Sequence, residues 1–463
     1  MCDAILSLFV YKIMLIISLW RTMVLLICQK VSNWSWSRTK LNINLLFRNS
    51  SSVAKKKQLV ILGSGWGSYS VLKNIKKDLY DVKVVTPRNH FLFTPLLCST
   101  AVGTLEFRSI IEPIRNIGFE DARDFMLAHA EELDILDKTV ICRSVLDPSD
   151  TFSIRYNKLV IGVGCLSNTF GVPGVEKHAC FLKEIADAQK IRKTILSNCE
   201  KALCSSLTKE ESERLLHTVI VGGGPTGVEF GAELYDFKVK DVRRLYKHSE
   251  DLFKVTLIEA TNILGSFDTK LRSYAEKKLS ERLNFSLLKS SVVEVKEDCV
   301  ILKDGTSLRC GLVVWSTGLS PRAFTQRLDL PKNNKGQILT DDFLRVVGGP
   351  SGDVFAIGDC AEIESCPLPC TAQVAERQGR YLTDSLNGVT KKPFHFQSLG
   401  MLAYIGDYKA VTDLPDLKVQ GFTSWILWRS AYLTRLGSWR LRMQVPIDWL
   451  KTLLFGRDTS NFH

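Results

Sequence analysis

Short apolar, β-branched runs alternate along this chain with longer polar or amphipathic stretches, the pattern of parallel strands joined through helices. The runs are Gln58-Leu-Val-Ile-Leu62, Val82-Lys-Val-Val-Thr86, Leu159-Val-Ile-Gly-Val-Gly164, Thr218 to Val221, Val255-Thr-Leu-Ile-Glu259, Leu312-Val-Val-Trp-Ser-Thr-Gly318 and Asp353-Val-Phe-Ala-Ile-Gly-Asp-Cys360. Several are apolar throughout, as strands covered on both faces must be. Most run straight into a glycine turn. The pattern predicts an α/β fold of two Rossmann-like units built on one plan, the second inserted into the first. The expected boundaries are 55–175 plus 321–390 for the outer unit, 176–320 for the inserted one, and 391–463 for a C-terminal region.

Two of the turns carry chemistry. Gly222, Gly224 and Gly227 fit G-x-G-x-x-G between a strand and a helix-compatible segment. The first glycine suits a tight turn, the second lets backbone approach a pyrophosphate, and the third allows helix and strand to pack closely. The helix N-terminus adds free N–H groups and a partial positive charge. The next strand ends on Glu259, an acid suited to a ribose 2′-hydroxyl and repelling a 2′-phosphate, so NADH is expected over NADPH. A polar helical insert, about residues 235–254, lengthens the usual spacing. A second fingerprint, Gly63, Gly65 and Gly67, follows the first strand, with Ser68 where the third glycine is usual. Its companion strand ends without an acid, leaving Thr86 or Arg88 for the ribose. The Gly358-Asp359 turn supplies a carboxylate for a ribityl hydroxyl. Together these features predict non-covalent FAD in the outer unit and a nicotinamide nucleotide in the inner one. The plainer alternative is a pair of tight turns that bind nothing.

Composition changes the picture at the ends. The chain has 463 residues and a formal net charge of +12, from 61 Lys and Arg against 49 Asp and Glu. No nucleic-acid motif accompanies this charge, and the basic residues concentrate at the termini, which favours a membrane surface. Thirteen cysteines contain no C-x-x-C, and no calcium loop occurs, so no metal site is expected. Residues 1–52 are basic, serine-bearing and nearly free of acid, as an organellar transit peptide is. Their apolar run is interrupted by Lys12 and Arg21, so a membrane-inserted segment is the weaker alternative.

At Arg88-Asn-His-Phe-Leu-Phe-Thr-Pro-Leu-Leu97 the chain resembles the type II (alternative, rotenone-insensitive) NADH:ubiquinone oxidoreductases, and among them the plant internal mitochondrial members. The resemblance extends through Asn168-Thr-Phe-Gly-Val-Pro-Gly-Val175, Thr371-Ala-Gln-Val-Ala375, Leu402-Ala-Tyr-Ile-Gly406 and Trp425-Ile-Leu-Trp-Arg-Ser-Ala-Tyr-Leu433. It implies hydride transfer from NADH to FAD and then two electrons to ubiquinone, without proton pumping. It also implies a peripheral place on the matrix side of the mitochondrial inner membrane, with the peroxisome as a second site. By the same resemblance, Thr94 and Pro95 lie near the isoalloxazine and Asp359 holds the ribityl chain. Glu229 lies near nicotinamide and quinone, and Gln373 at the flavin–quinone junction. The plain alternatives are a solvated helix carboxylate for Glu229 and a surface amide for Gln373. Three departures stand out: Cys98 where proline is usual, Gly162 where alanine is usual, and the charged pair Glu376-Arg377 in the quinone motif.

In the tail, Trp425, Trp428, Tyr432, Leu436 and Trp439 step by three or four, and Pro446 is expected to end that helix. Arg429, Arg435, Arg440 and Arg442 fall mostly elsewhere on the wheel. Trp449, Leu450, Leu453, Leu454 and Phe455 begin a second apolar face. Amphipathic helices lying on the membrane are the expectation, and the same faces could serve a homodimer. Three rival functions remain: a disulfide reductase using Cys199 and Cys204, a sulfide:quinone oxidoreductase using Cys165, Cys360 and Cys366, and an FAD sensor without turnover.

Overall fold

The computed structural model describes residues 56–460, save His248, Pro350 and Ser351. The segment read as a transit peptide therefore lies outside the described residues. Strand β1 (Lys57–Leu62) is buried along its apolar length and runs parallel to β2 (Tyr80–Thr86) through helix α1 (Trp66–Asn74). Helix α2 (Leu97–Ala101) follows. The sheet continues through β3 (Phe125–Asp134), then antiparallel β4 (Thr139–Ser144) and β5 (Thr151–Arg155). On the other side of β1, β6 (Lys158–Ile161) pairs in parallel.

The chain then builds a second sheet. Strand β7 (Cys180–Phe181) and helix α3 (Ile185–Lys201) lead to β8 (His217–Val221), β9 (Lys254–Glu259), β10 (Phe285–Lys289) and β11 (Leu312–Trp315). All five strands are parallel, in the order β7-β11-β8-β9-β10. Helix α4 (Pro225–Phe237) joins β8 to β9. A π-helical turn, Lys238–Val242, and a last turn, Arg243–Leu245, extend it; the rest of the expected helical insert is not helix. After this sheet β12 (Val354–Ala356) returns to pair with β6, giving a first sheet of order β12-β6-β1-β2-β3-β4-β5. One sheet is thus inserted between two strands of the other. Helix α5 (Ala372–Leu386) crosses α1 closely: a Cβ on Gly379 would stand 2.4 Å from the Gly67 carbonyl oxygen.

The C-terminal region is more than helices. An antiparallel sheet of β13 (Met401–Gly406), β14 (Lys409–Leu414) and β15 (Leu417–Gly421) precedes α6 (Phe422–Arg435) and α7 (Trp439–Phe455). Two expectations need correction. Pro446 does not end a helix; it lies inside α7. Its cost, roughly 3 kcal/mol in an unconstrained helix, is met by side-chain ties. Ser438 caps the N-terminus, and Asp448 accepts from Ser109 Oγ at 2.6 Å and from the Glu106 N–H at 3.1 Å.

Nor is the stripe from Trp425 to Trp439 a free face. Trp428 and Leu436 are buried, Trp425 and Tyr432 are packed against the same core, and Trp439 opens the next helix. The free apolar stripe lies on α7 instead: Trp439, Met443, Ile447, Leu450 and Leu454, with Leu453 and Phe455 beside it. No helix of the described residues is long and apolar enough to cross a membrane.

Candidate functional site

Each glycine turn is made by its glycines in the same way. Gly63 and Gly222 have φ of +100° and +114°, where a side chain is strained. A Cβ there would also meet backbone oxygens, that of Gly162 at 2.3 Å and that of Ser316 at 2.5 Å. Gly227 packs onto the Gly222 carbonyl, and Gly67 onto the Ile357 side chain. The middle glycines differ. A Cβ on Gly224 would meet nothing within 4 Å, and one on Gly65 only the Arg88 side chain at 3.9 Å. No contact of the fold demands glycine at either place, so the open space belongs to what approaches the turn from outside.

Gly63, Gly65 and Gly67 open onto a cavity of about 930 Å³. Its wall continues through Thr86, Arg88 and Thr94, past Glu184 and Thr317, to Asp359 and the first turn of α5 at Thr371. The N-termini of α1 and α5 thus both face it, an arrangement that suits an extended, doubly negative dinucleotide. Thr94 Oγ1 accepts from Trp66 Nε1 at 3.0 Å, while neighbouring Pro95 is half-buried. Arg88 pairs with Glu184 and reaches Ser64 Oγ at 3.3 Å. Thr86 Oγ1 is buried against Ser64 Oγ at 3.0 Å. Both ribose candidates, Thr86 and Arg88, thus line the cavity and meet at Ser64.

Asp359 sits in a short turn after β12, where the Gly358 N–H donates to Gln378 Oε1 at 2.7 Å. Its Oδ2 accepts from the Cys165 thiol at 3.0 Å, and Lys183 Nζ stands 3.8 Å away. Burial first, and the neighbouring Asp359 charge second, push the Cys165 thiol up to about 12. A thiol so held is a poor nucleophile. Among the other cysteines offered to rival functions, Cys199 and Cys360 are buried, and Cys204 and Cys366 are exposed away from the cavity wall.

The second turn gathers its own residues. Glu259, at the end of β9, accepts from the Gly223 N–H at 2.7 Å and from Thr261 N–H and Oγ1 at 2.9 Å each. Partial burial disfavours its charge, but the Thr261 and Gly223 donors outweigh this and hold the carboxyl below its ordinary range.

Glu229 departs from the plain alternative. On α4, one turn past the glycines, it is buried at 6% exposure, not solvated. Its Oε1 accepts from the Tyr404 N–H of β13 at 3.0 Å and from Trp428 Nε1 of α6 at 3.1 Å. Burial raises its carboxyl to about 8, against those two hydrogen bonds and with some help from Glu233. It therefore carries its proton at neutral pH. Glu233, one turn on, accepts from Ser99 Oγ and Thr104 Oγ1 and pairs with Arg457 at 3.3 Å. The family motifs contained Tyr404 and Trp428, but nothing in their spacing assigned them to Glu229.

Gln373 lies at the second position of α5, half-buried, its Oε1 accepting from the Leu399 N–H at 3.1 Å. Neither it nor Glu229 lines the large cavity. Glu376 is paired with Arg380 at 2.7 Å, and Arg377 is half-buried, so this departure places no deeply buried, unpaired charge in the motif. Cys98 places its thiol 3.4 Å from the Thr226 carbonyl in the first turn of α4, tying α2 to that helix.

Residues 57–379 match the pyridine nucleotide-disulphide oxidoreductase family, and residues 398–458 match the NDH2 C-terminal domain. The chain belongs to the type II NADH dehydrogenase family. The internal alternative NAD(P)H-ubiquinone oxidoreductase A1, mitochondrial, of Arabidopsis thaliana is 46% identical over 441 residues, covering 88% of this chain and 86% of that one. A probable NADH dehydrogenase of Dictyostelium discoideum is 44% identical over 421 residues, covering 89% and 92%. The solved NDH2 of Plasmodium falciparum in complex with NADH superposes with a TM-score of 0.83 at 29% identity, covering 88% of this chain and all of that one. The family and fold expected from the motifs are those found. A type II chain has both the two-sheet body and the C-terminal domain seen here.

Proposed function

We propose that this protein is a non-proton-pumping NADH:ubiquinone oxidoreductase with non-covalent FAD, peripheral on the matrix side of the mitochondrial inner membrane. A second site in the peroxisome belongs to the same proposal. The observation that carries it is the pair of glycine turns whose middle glycines, Gly65 and Gly224, no contact of the fold requires. The mitochondrial relatives named as NAD(P)H-ubiquinone oxidoreductases support it. In this assignment 55–175 with 321–390 binds FAD, 176–320 binds NADH, and 391–463 meets the membrane and quinone. Gly63, Gly65 and Gly67 receive the FAD pyrophosphate on the α1 N-terminus, Asp359 takes a ribityl hydroxyl, and Thr94 with Pro95 borders the ring. Gly222, Gly224 and Gly227 receive the NADH pyrophosphate, and Glu259 its ribose. The flavin, when bound, takes a hydride from the nicotinamide and gives two electrons to the quinone. Glu229 holds one of the protons the quinol needs, and Gln373 borders the quinone. The apolar stripe of α7 rests on the bilayer, where each large side chain buried contributes about 1.5–3 kcal/mol.

The test is an anaerobic titration of detergent-purified protein, following visible flavin absorbance. NADH should bleach it and a short-chain ubiquinone should restore it, while a Gly224→Val protein with full flavin should not bleach. Bleaching without recovery would favour a sensor that holds FAD without turnover. Bleaching by sulfide but not NADH would overturn the assignment.

A further inference from the structure

Arg429, on α6, is stacked between two indoles. Its guanidinium carbon lies 4.2 Å from the ring centroid of Trp425, one turn back, and 4.2 Å from that of Trp449 on α7. Among the described residues it forms no ion pair or hydrogen bond, and its Nε is enclosed without a partner. Arg435 is exposed, and three other tail arginines have partners. Arg440 reaches Glu112 and the Ile111 carbonyl, Arg442 two carbonyls of the α6–α7 junction, and Arg457 the carboxylates of Glu233 and Asp241. Burial lowers Arg429 to about 10, which leaves it charged at neutral pH.

Arg429 is half-buried and, among the described residues, forms no ion pair, and a guanidinium flanked by two indoles bonds best through its edge. That edge, a rigid fork of N–H groups, matches two oxygens of a phosphate. The surroundings say where such a phosphate comes from. Phe422 stacks on Trp425 at 5.4 Å, and Leu450 and Leu453 flank Trp449; all three are exposed. The stack therefore stands at the rim of the free apolar face, at the level where tryptophans meet lipid headgroups.

We propose that the Trp425–Arg429–Trp449 stack binds the phosphate of an anionic phospholipid headgroup. This rests on the docking of α7 to a bilayer. The stack fixes the angle at which the helix pair meets the membrane.

The test is flotation of the full-length holoprotein with phosphatidylcholine vesicles, with and without phosphatidylglycerol. The wild type should prefer the anionic vesicles. Arg429→Gln should lose about fivefold of that preference, the contribution of one well-placed arginine. Arg429→Lys, which keeps charge but not the fork, should lose most of it too, and it carries the comparison if the glutamine variant loses its flavin. Either variant keeping the full preference overturns the site. Displacement by inorganic phosphate would assign it to free phosphate instead. An unchanged lipid preference with a raised KM for ubiquinone would assign it to the quinone. Wild type floating equally with both vesicles overturns this proposal alone, whereas floating with neither overturns the docking of α7 as well.

Discussion

At the scale of single residues, two departures from the usual pattern explain one another. Ser68 stands where the fingerprint has its third glycine, and Gly162 where alanine is usual. A Cβ on Gly162 would lie 2.2 Å from Ser68 Oγ, while Ser68 Oγ itself lies 3.4 Å from the Leu62 and Gly162 carbonyls. The hydroxyl fills the space that alanine's methyl group would need. Gly162→Ala should therefore be unfavourable beside Ser68 and favourable beside glycine. A double-mutant cycle with Ser68→Gly should show a coupling of about 1 kcal/mol in denaturant unfolding. Additive effects would refute the compensation.

Glu229 is the second residue-scale case. Its native carboxyl titrates at about 8 against an ordinary 4.5. Between those values the native state keeps a proton that the unfolded chain has released, so stability falls as pH rises through the window, by up to about 1.4 kcal/mol per unit. The groups facing it share its burial: Glu233 on its own helix, Cys98 on α2 and Tyr432 on α6. Glu229→Gln should flatten the decline of the melting temperature from pH 5 to 8. Parallel profiles for variant and wild type would mean that the carboxyl is not protonated in the native state. On the proposed role of Glu229 as a proton donor, quinone turnover in the wild type should fall above pH 8, and the variant should lack this limb.

At the scale of elements, apolar runs and glycine turns marked the central parallel strands of both sheets, because such a strand is read from its own residues, while β3, β4, β5, β7 and β10 were not marked. The helices of the tail were less legible. The step of three or four from Trp425 to Leu436 is real, but periodicity says only that these residues share a face, not what covers it. The cover is the core beneath α6, where Trp428 finds a carboxylate of α4 to receive its indole N–H. Pro446 reads as a stop in sequence, yet α7 runs through it because Ser438 and Asp448 tie the helix on either side. Of the two expected apolar faces, the second, on α7, is the one left free, with Leu450, Leu453, Leu454 and Phe455 exposed and Trp449 packed against the core.

At the scale of the whole molecule, α7 is fastened to the body through its polar side. Asp448 meets the segment near Ser109, Thr452 Oγ1 donates to the Thr104 carbonyl at 2.9 Å, and Arg457 reaches into Glu233 and Asp241. The apolar stripe is thus held outward on a rigid mount, whether or not a bilayer is present. Leu450→Glu with Leu454→Glu should reduce vesicle partitioning by more than about tenfold, while NADH-driven flavin bleaching in detergent stays unchanged. Loss of bleaching would show that the stripe supports the fold instead.

The sequence by itself determined the two-turn plan and the insertion of one sheet in another, and it singled out the residues proposed to meet two dinucleotides. These follow from local rules: strand hydrophobicity, glycine geometry and an acid at a strand end. Tertiary structure alone decided that Glu229 keeps its proton, that Ser68 and Gly162 form one unit, and that α7 rather than α6 faces outward. Each depends on partners far apart in the chain. The low dielectric around Glu229, in particular, exists only once Tyr404 and Trp428 have closed over α4.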